Sequence, residues 1–230
     1  MPMGRGVVDL TETLGPATVL WPGSERVERR VVAHHATEGM YGQVWRTPEH
    51  AGTHLDAPAH FAPEGVRADQ IPAERLVVDC AVLDVRERCA ADADFMLEAE
   101  QLRAIEARDT RIERGSAVLV HTGWDRHRGN PQRYLGGNDP EQLHFPGVGP
   151  SAAELLIERG AVGIGIDTAG IDPGHAVEAP VHHITLPAGL WHLEGLVNLG
   201  ELPARGALLF VGALKLEEGS GAPARVLALV

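Results

Sequence analysis

The sequence predicts a single α/β domain whose sheet is at least partly parallel, and three observations carry that expectation. A chain of 230 residues is long for one domain and short for two. An amphipathic helix-forming run at 150–160 is followed at once by a buried-strand run at 161–167, the second half of a β-α-β crossover. The hydrophobic share of 44% and the charged share of 23% are those of a globular chain with a full core. No repeat, linker or low-complexity segment divides the chain, so one domain over residues 1–230 is expected.

Taken in order, residues 1–6 lead directly into Val7-Val8-Asp9-Leu10, a strand, and are too short for a secretory signal. Trp21 follows in a loop before Pro22-Gly23, where an aromatic can pack or stack on a ligand. Residues 27–36 and 41–47 are rich in β-formers and read as paired strands turning at Glu38-Gly39. Pro63-Glu64-Gly65 is a turn, 66–75 is irregular, and the apolar run 76–85 is a buried strand. Leu97, Leu102 and Ile105 give 97–108 a helical stripe. Residues 117–123 form another buried strand, closed by Gly123 before Trp124. The segment 125–147 is long, polar and glycine-rich, the kind of loop that serves a function or covers a site. Gly160 caps the helix at 150–160, and 167–180 turns around Asp172-Pro173-Gly174. Residues 190–194, 207–216 and 225–230 read as closing strands.

A net charge of −12 argues against nucleic-acid and membrane-surface partners, which reward clustered Lys and Arg. No run of 18 apolar residues suggests a transmembrane helix. The two cysteines, Cys80 and Cys89, lie outside any metal spacing pattern, and Cys80 reads as a buried thiol, so a reduced, cytoplasmic setting is expected.

Histidine is the unusual component. Twelve are present, and six of them fall at 50–60 and 175–183. The densest stretch is His50-Ala51-Gly52-Thr53-His54-Leu55-Asp56-Ala57-Pro58-Ala59-His60-Phe61, whose nitrogen and oxygen donors suit zinc, or manganese if more oxygen joins. A helix would place Asp56 about 240° round from His50. A straight strand would hold His50 and His54 roughly 13 Å apart. The expected solution is a strand end bent at Gly52, with Pro58 redirecting the chain so that His60 faces the same pocket. The alternative is a histidine-rich surface loop. His50, His54 and Asp56 suffice for a three-ligand zinc with an open fourth position. Further candidates are His182, His183 and Glu194. Buried in an apolar strand, Glu194 needs a counter-charge, which a metal or a basic side chain could equally supply.

The chain resembles the putative cyclase family of metal hydrolases, which includes bacterial kynurenine formamidases and isatin hydrolases. The resemblance runs over nearly the whole length: Asp9-Leu10, Trp21-Pro22-Gly23, the 50–61 stretch, Thr122-Gly123-Trp124, Gly165-Ile166-Asp167-Thr168, His182 with Glu194, Leu214-Lys215-Leu216 and Gly219-Ser220-Gly221-Ala222-Pro223. It implies a domain of the swivelling β/β/α type with a curved mixed sheet and few helices. It also implies two divalent ions, zinc or alternatively manganese. His50, His54 and Asp56 would hold the first ion, Asp56 would bridge to the second, His182 would bind the second, and Glu194 would contact both. His60 would be the general acid/base and Trp21 would line the substrate pocket, with Trp124 a further stacking candidate; His183 receives no role.

The implied reaction is cleavage of a C–N amide bond by metal-activated water, on N-formylkynurenine or a related aryl formamide. No Gly-x-Ser-x-Gly elbow or activated cysteine offers a covalent route. The 125–147 segment departs from the short formamidase form, which keeps a cyclic amide or lactone hydrolase as the alternative. A non-catalytic metal- or small-molecule-binding protein is the rival from another class, though it has no need of an unliganded base such as His60. The family resemblance also implies a homodimer or higher homo-oligomer.

Overall fold

A computed structural model describes residues 6–108 and 111–230; residues 1–5, most of the lead too short for a secretory signal, lie outside the described residues. The chain opens with β1 (Val7–Asp9) and, after the Trp21 loop, makes an antiparallel ribbon of β2 (Glu28–Ala33) and β3 (Gly42–Arg46). A single helical turn, α1 (His35–Glu38), joins those strands and ends on Gly39 in the left-handed region. The strand β4 (His54–Asp56) is only three residues long, because Pro58 starts a 3-10 turn directly after it. Then come β5 (Val77–Asp84), α2 (Arg86–Ala91), β6 (Met96–Leu97) and α3 (Ala99–Arg108).

Leu97 therefore departs from expectation. It is a strand residue paired with β8 (Gly147–Val148), and Ala99, Leu102 and Ile105 supply the buried stripe of α3. Between them lie β7 (Ala117–His121) and α4 (Pro131–Leu135). The second half continues with α5 (Pro150–Arg159), β9 (Gly163–Ile166), α6 (Pro180–Thr185), β10 (Trp191–Glu194), β11 (Arg205–Ala213) and β12 (Gly221–Leu229). The strand expected over 207–216 stops at Ala213, where the chain turns through Leu214 to Gly219, and the last strand starts early, at Gly221.

The main sheet closes on itself. Its order is β12-β11-β5-β7-β9-β10-β4, and β4 pairs back onto β12 through Gly221–Pro223. The strand β1 occupies the rest of that edge of β12. The pairs β5–β7, β7–β9 and β9–β10 are parallel and the others antiparallel, so this is a curved mixed sheet with few helices.

Alternation assigns each strand's residues to a side. Leu55, Cys80, Leu119, Trp191, Leu193, Leu209 and Val226 pack together inside the closed sheet. Val118, Val120, Ile164 and Ile166 face outward against Leu102 of α3, Leu155 and Leu156 of α5 and Val181 of α6. The inward positions of β9 are glycines, and a Cβ on Gly163 would lie 2.2 Å from the Trp191 ring. That missing atom is the space Trp191 fills. Because Trp191 and Leu193 point in, His192 and Glu194 must point out, toward α6 and the 167–180 loop.

The 125–147 segment is folded rather than loose: Trp124, Tyr134, Leu135, Leu143 and Phe145 make a small apolar cluster of their own. Among the described residues, no helix is long and apolar enough to cross a membrane.

Candidate metal centre and adjoining cavity

Sheet register builds the centre. In the antiparallel β4–β10 pair, His54 lies opposite Glu194 and Asp56 opposite His192, so four polar side chains share one face as cross-strand neighbours. Upstream, Gly52 adopts φ +63°, a left-handed conformation that favours glycine and supplies the expected bend toward His50. Downstream, the turn at Pro58–His60 brings His60 back, its ring stacked on His50 with centroids 4.1 Å apart. The remaining member comes from α6, a helix the sequence reading did not anticipate. Asp172 accepts hydrogen bonds from the backbone N–H of Val181 and of His182, so it caps that helix and fixes where His182 stands.

Hydrogen bonds then fix which nitrogen of each ring faces the carboxylates. His54 Nδ1 donates to the Gly52 carbonyl at 3.0 Å, leaving Nε2 3.3 Å from Asp56 Oδ1 and 3.5 Å from Glu194 Oε2. His182 Nδ1 donates to Asp172 at 2.6 Å, leaving Nε2 3.5 Å from Asp56 Oδ2 and 3.4 Å from Glu194 Oε1. Ser220 Oγ donates to Glu49, so it accepts from His50 Nε2 at 3.0 Å, and His50 Nδ1 faces Asp56 Oδ1 at 2.6 Å. Metal-binding histidines are oriented in this way, one nitrogen anchored and the other bare. The two oxygens of Asp56 thus face different histidines, and so do those of Glu194.

The result is a buried group of acceptors with almost no donors. Asp56 Oδ2 and His192 Nδ1 are both buried and without a hydrogen-bond partner. Asp56, His182, His192 and Glu194 hold ligand atoms all within 4.8 Å of one another, as do His50, Asp56 and His60. Orphaned acceptors at this density fit divalent cations, whose ligands are nitrogen and carboxylate oxygen.

The electrostatics agree. Burial alone would lower the pKa of His54, but the charges of Asp56 and Glu194 raise it from 6.5 to about 9. Burial also opposes protonation of His182, and its bonds to Asp172, Asp56 and Glu194 raise it well above the usual value. Asp56 resists its own burial and is held well below the carboxylate range by those histidines. Without a cation, protons take up its role. His60 behaves oppositely: desolvation dominates and pushes it down to about 4, so the ring is neutral near pH 7.

A cavity of about 460 Å³ opens onto this centre, lined by Val19, Leu20, Trp21 and Phe61 on its apolar side and by His50, His54, Asp56, His60, His182 and Glu194 at its polar end. Trp21 lies in its wall, edge-on to Phe145 at 6.3 Å. Trp124 does not reach the cavity; it is buried, and its indole N–H donates to the Tyr134 carbonyl at 2.8 Å. His183 stays outside as well, edge-on to Phe61.

Sequence reasoning missed several residues. Glu12, Arg128 and Tyr134 line the cavity, with Arg128 bridging Glu12 at 2.5 Å and donating to the Tyr134 hydroxyl at 2.9 Å. Asp172, Glu49, Ser220 and His192 were missed too. Only His192 carried a signal: it sits two positions before Glu194, and so on the same strand face.

Known proteins resemble the chain throughout. The family described as Putative cyclase matches residues 8–173. The isatin hydrolase of Roseibium aggregatum is 34% identical, over 97% of this chain and 91% of that protein. The kynurenine formamidase of Salinibacter ruber is 27% identical, over 95% of each. The crystal structure of an isatin hydrolase bound to the product analogue thioisatinate superposes with a TM-score of 0.93 at 33% identity, covering 97% of this chain and 92% of that one.

Proposed function

Because the chain belongs to the putative cyclase family of metal-dependent hydrolases, we propose that it cleaves the C–N bond of a small, planar aryl amide, acting as one hydrolase domain in the cytoplasm. The observation that carries this reading is the apolar, aromatic-walled cavity ending in a cluster of buried, donor-poor acceptors. We assign His50, His54 and Asp56 to a first ion, zinc or manganese, and His182 to a second, with Asp56 and Glu194 between them. The opposed faces of the two carboxylates support that division. Bound ions would lower the pKa of water toward neutrality and polarise the substrate carbonyl.

The protein's own groups do the rest. Trp21 and Phe61 hold the aryl ring against the cavity wall and exclude water from it. His60, kept neutral by burial, takes the proton of the attacking water and returns it to the leaving nitrogen. Gly52, Asp172 and Ser220 keep their histidines from rotating.

Two substrates of this class compete. N-formylkynurenine is the aryl formamide that the sequence suggests. The higher identity to an isatin hydrolase, and the 125–147 segment contributing Arg128 and Tyr134 to the cavity, favour ring opening of a cyclic aryl amide. A panel of isatin, N-formylkynurenine and a simple lactone separates them. Turnover of one aryl amide that chelator abolishes and zinc or manganese restores is the expected result. Metal-loaded protein inert on the whole panel would instead support the non-catalytic reading.

We also propose a homodimer contact on the β2–β3 ribbon, where Met40, Tyr41, Val44 and Trp45 are each exposed. Light scattering should give the dimer mass, and Trp45→Ser with Val44→Ser should shift it to the monomer. A monomeric wild type discards the assignment.

A further inference from the structure

Nothing in the centre is more completely enclosed than His192, which is 0% exposed. We propose that its Nδ1 is a direct ligand of the second ion, completing a four-residue site with Asp56, His182 and Glu194. This rests on the two-ion reading above and deepens it.

The argument begins at Thr185. Its hydroxyl donates to the Val181 carbonyl at 2.7 Å, one helical turn back along α6. With that hydrogen committed, the oxygen can only accept from His192 Nε2, 2.6 Å away. The proton of the imidazole therefore sits on Nε2, and Nδ1 is a bare lone pair. Nδ1 has no hydrogen-bond partner and faces Asp56 Oδ2 at 3.7 Å, an oxygen that is itself buried and unpartnered. Two lone pairs confronting each other in a dry interior are unfavourable unless a cation lies between them.

The spacing suits such a cation. A tetrahedron with bonds of about 2.1 Å has edges of about 3.4 Å. Three of the edges here are 3.5 Å from Asp56 Oδ2 to His182 Nε2, 3.4 Å from His182 Nε2 to Glu194 Oε1, and 3.7 Å from Asp56 Oδ2 to His192 Nδ1. Each histidine in the set also has its other nitrogen anchored, His182 on Asp172 and His192 on Thr185.

Four protein ligands, His182, His192, Asp56 and Glu194, would then surround the second ion, the number found in closed zinc sites.

The test counts metal rather than turnover. Wild-type protein is loaded with zinc, dialysed and analysed for metal, and loaded separately with cobalt for its visible spectrum. The wild type should hold two ions and show the intense bands of four-coordinate cobalt. His192→Leu should keep one ion, lose affinity for the other by more than about 100-fold, beyond an outer-shell effect, and lose the share of those bands that the second ion contributes. His192→Gln, whose amide reaches toward the Nε2 position, should behave like the leucine variant. His192→Asn places its amide near Nδ1 and should retain both ions, which also guards against a general folding defect. Two ions held equally well by the leucine and glutamine variants, with an unchanged cobalt spectrum, would overturn the assignment. A wild type that takes up neither zinc nor cobalt fails earlier, and removes the two-ion reading along with it.

Discussion

At the scale of single residues, His60 and His54 are the instructive pair, because the same neighbourhood drives their pKa values in opposite directions. Desolvation dominates at His60 and lowers it to about 4; at His54 the adjacent carboxylates overcome desolvation and raise it to about 9. A proton carrier has to be neutral and free, and a ligand has to trade a proton for a cation. His60→Ala should accordingly lower kcat by about 10²- to 10⁴-fold while metal analysis still finds both ions. Full turnover in that variant would remove His60 from the chemistry, and loss of an ion would reassign it as a ligand. At His54 the expectation concerns uptake. Below about pH 9 the metal-free ring is protonated, so binding must expel that proton. Apparent affinity should then rise about tenfold per pH unit for each proton displaced, flattening for His54 above pH 9. Calorimetry in buffers of different ionisation heat reads the released protons directly, and a titration without proton release would contradict the charge balance described here.

At the scale of elements, the deciding unit is the β4–β10 ladder with β9 beside it. Three residues of β4 and four of β10 supply His54, Asp56, His192 and Glu194 on one face because their register aligns them. What holds β10 in that orientation is Trp191, packed on the opposite face against the bare backbone of Gly163. Gly163→Ala puts a methyl group where the indole now lies. The expected cost is about 1–3 kcal/mol by overpacking, seen in urea unfolding as a lower midpoint with an unchanged slope. An alanine variant as stable as the wild type would show that Trp191 has room to move, and would weaken the account of why His192 and Glu194 face outward.

At the scale of the whole molecule, stability and metal content are one quantity. Ions that bind only the folded chain stabilise it by about 2.7 kcal/mol at a free concentration 100 times Kd, so chelation should lower Tm. The metal-free protein has a pH dependence of its own. His54 has a folded-state pKa raised above its unfolded value of 6.5, so its stabilising contribution is complete below pH 6.5 and is lost as pH rises through about 9. His182, raised as well, adds in the same direction. Thermal melts of chelated protein from pH 6.5 to 9 should show that decline, and melts of metal-saturated protein should not. Parallel curves for the two forms would break the link between protons and cations at this centre.

The sequence by itself determined a great deal. Short continuous apolar runs marked β5, β7, β9 and β10, Gly160 marked the end of α5, and the spacing of His50, His54, Asp56 and His60 around Gly52 and Pro58 demanded a bend. Those features are local, set by backbone sterics and side-chain periodicity over a few residues. The return of β4 onto β12 belongs to the tertiary structure alone, as does the path by which α6 carries His182 to Asp56 across more than a hundred residues of chain. So do the contacts that aim each ring: Asp172 on His182, Ser220 with Glu49 on His50, and Thr185 on His192. The 125–147 segment read as a lid or loop because its polarity is plain in the sequence, whereas the packing of Tyr134 and Leu143 beneath it is not. Hydrogen bonds between residues distant in the chain leave no periodic trace. A ligand's chemistry can therefore be read from its residue type, but which of its atoms faces the metal is decided only when the chain closes around it.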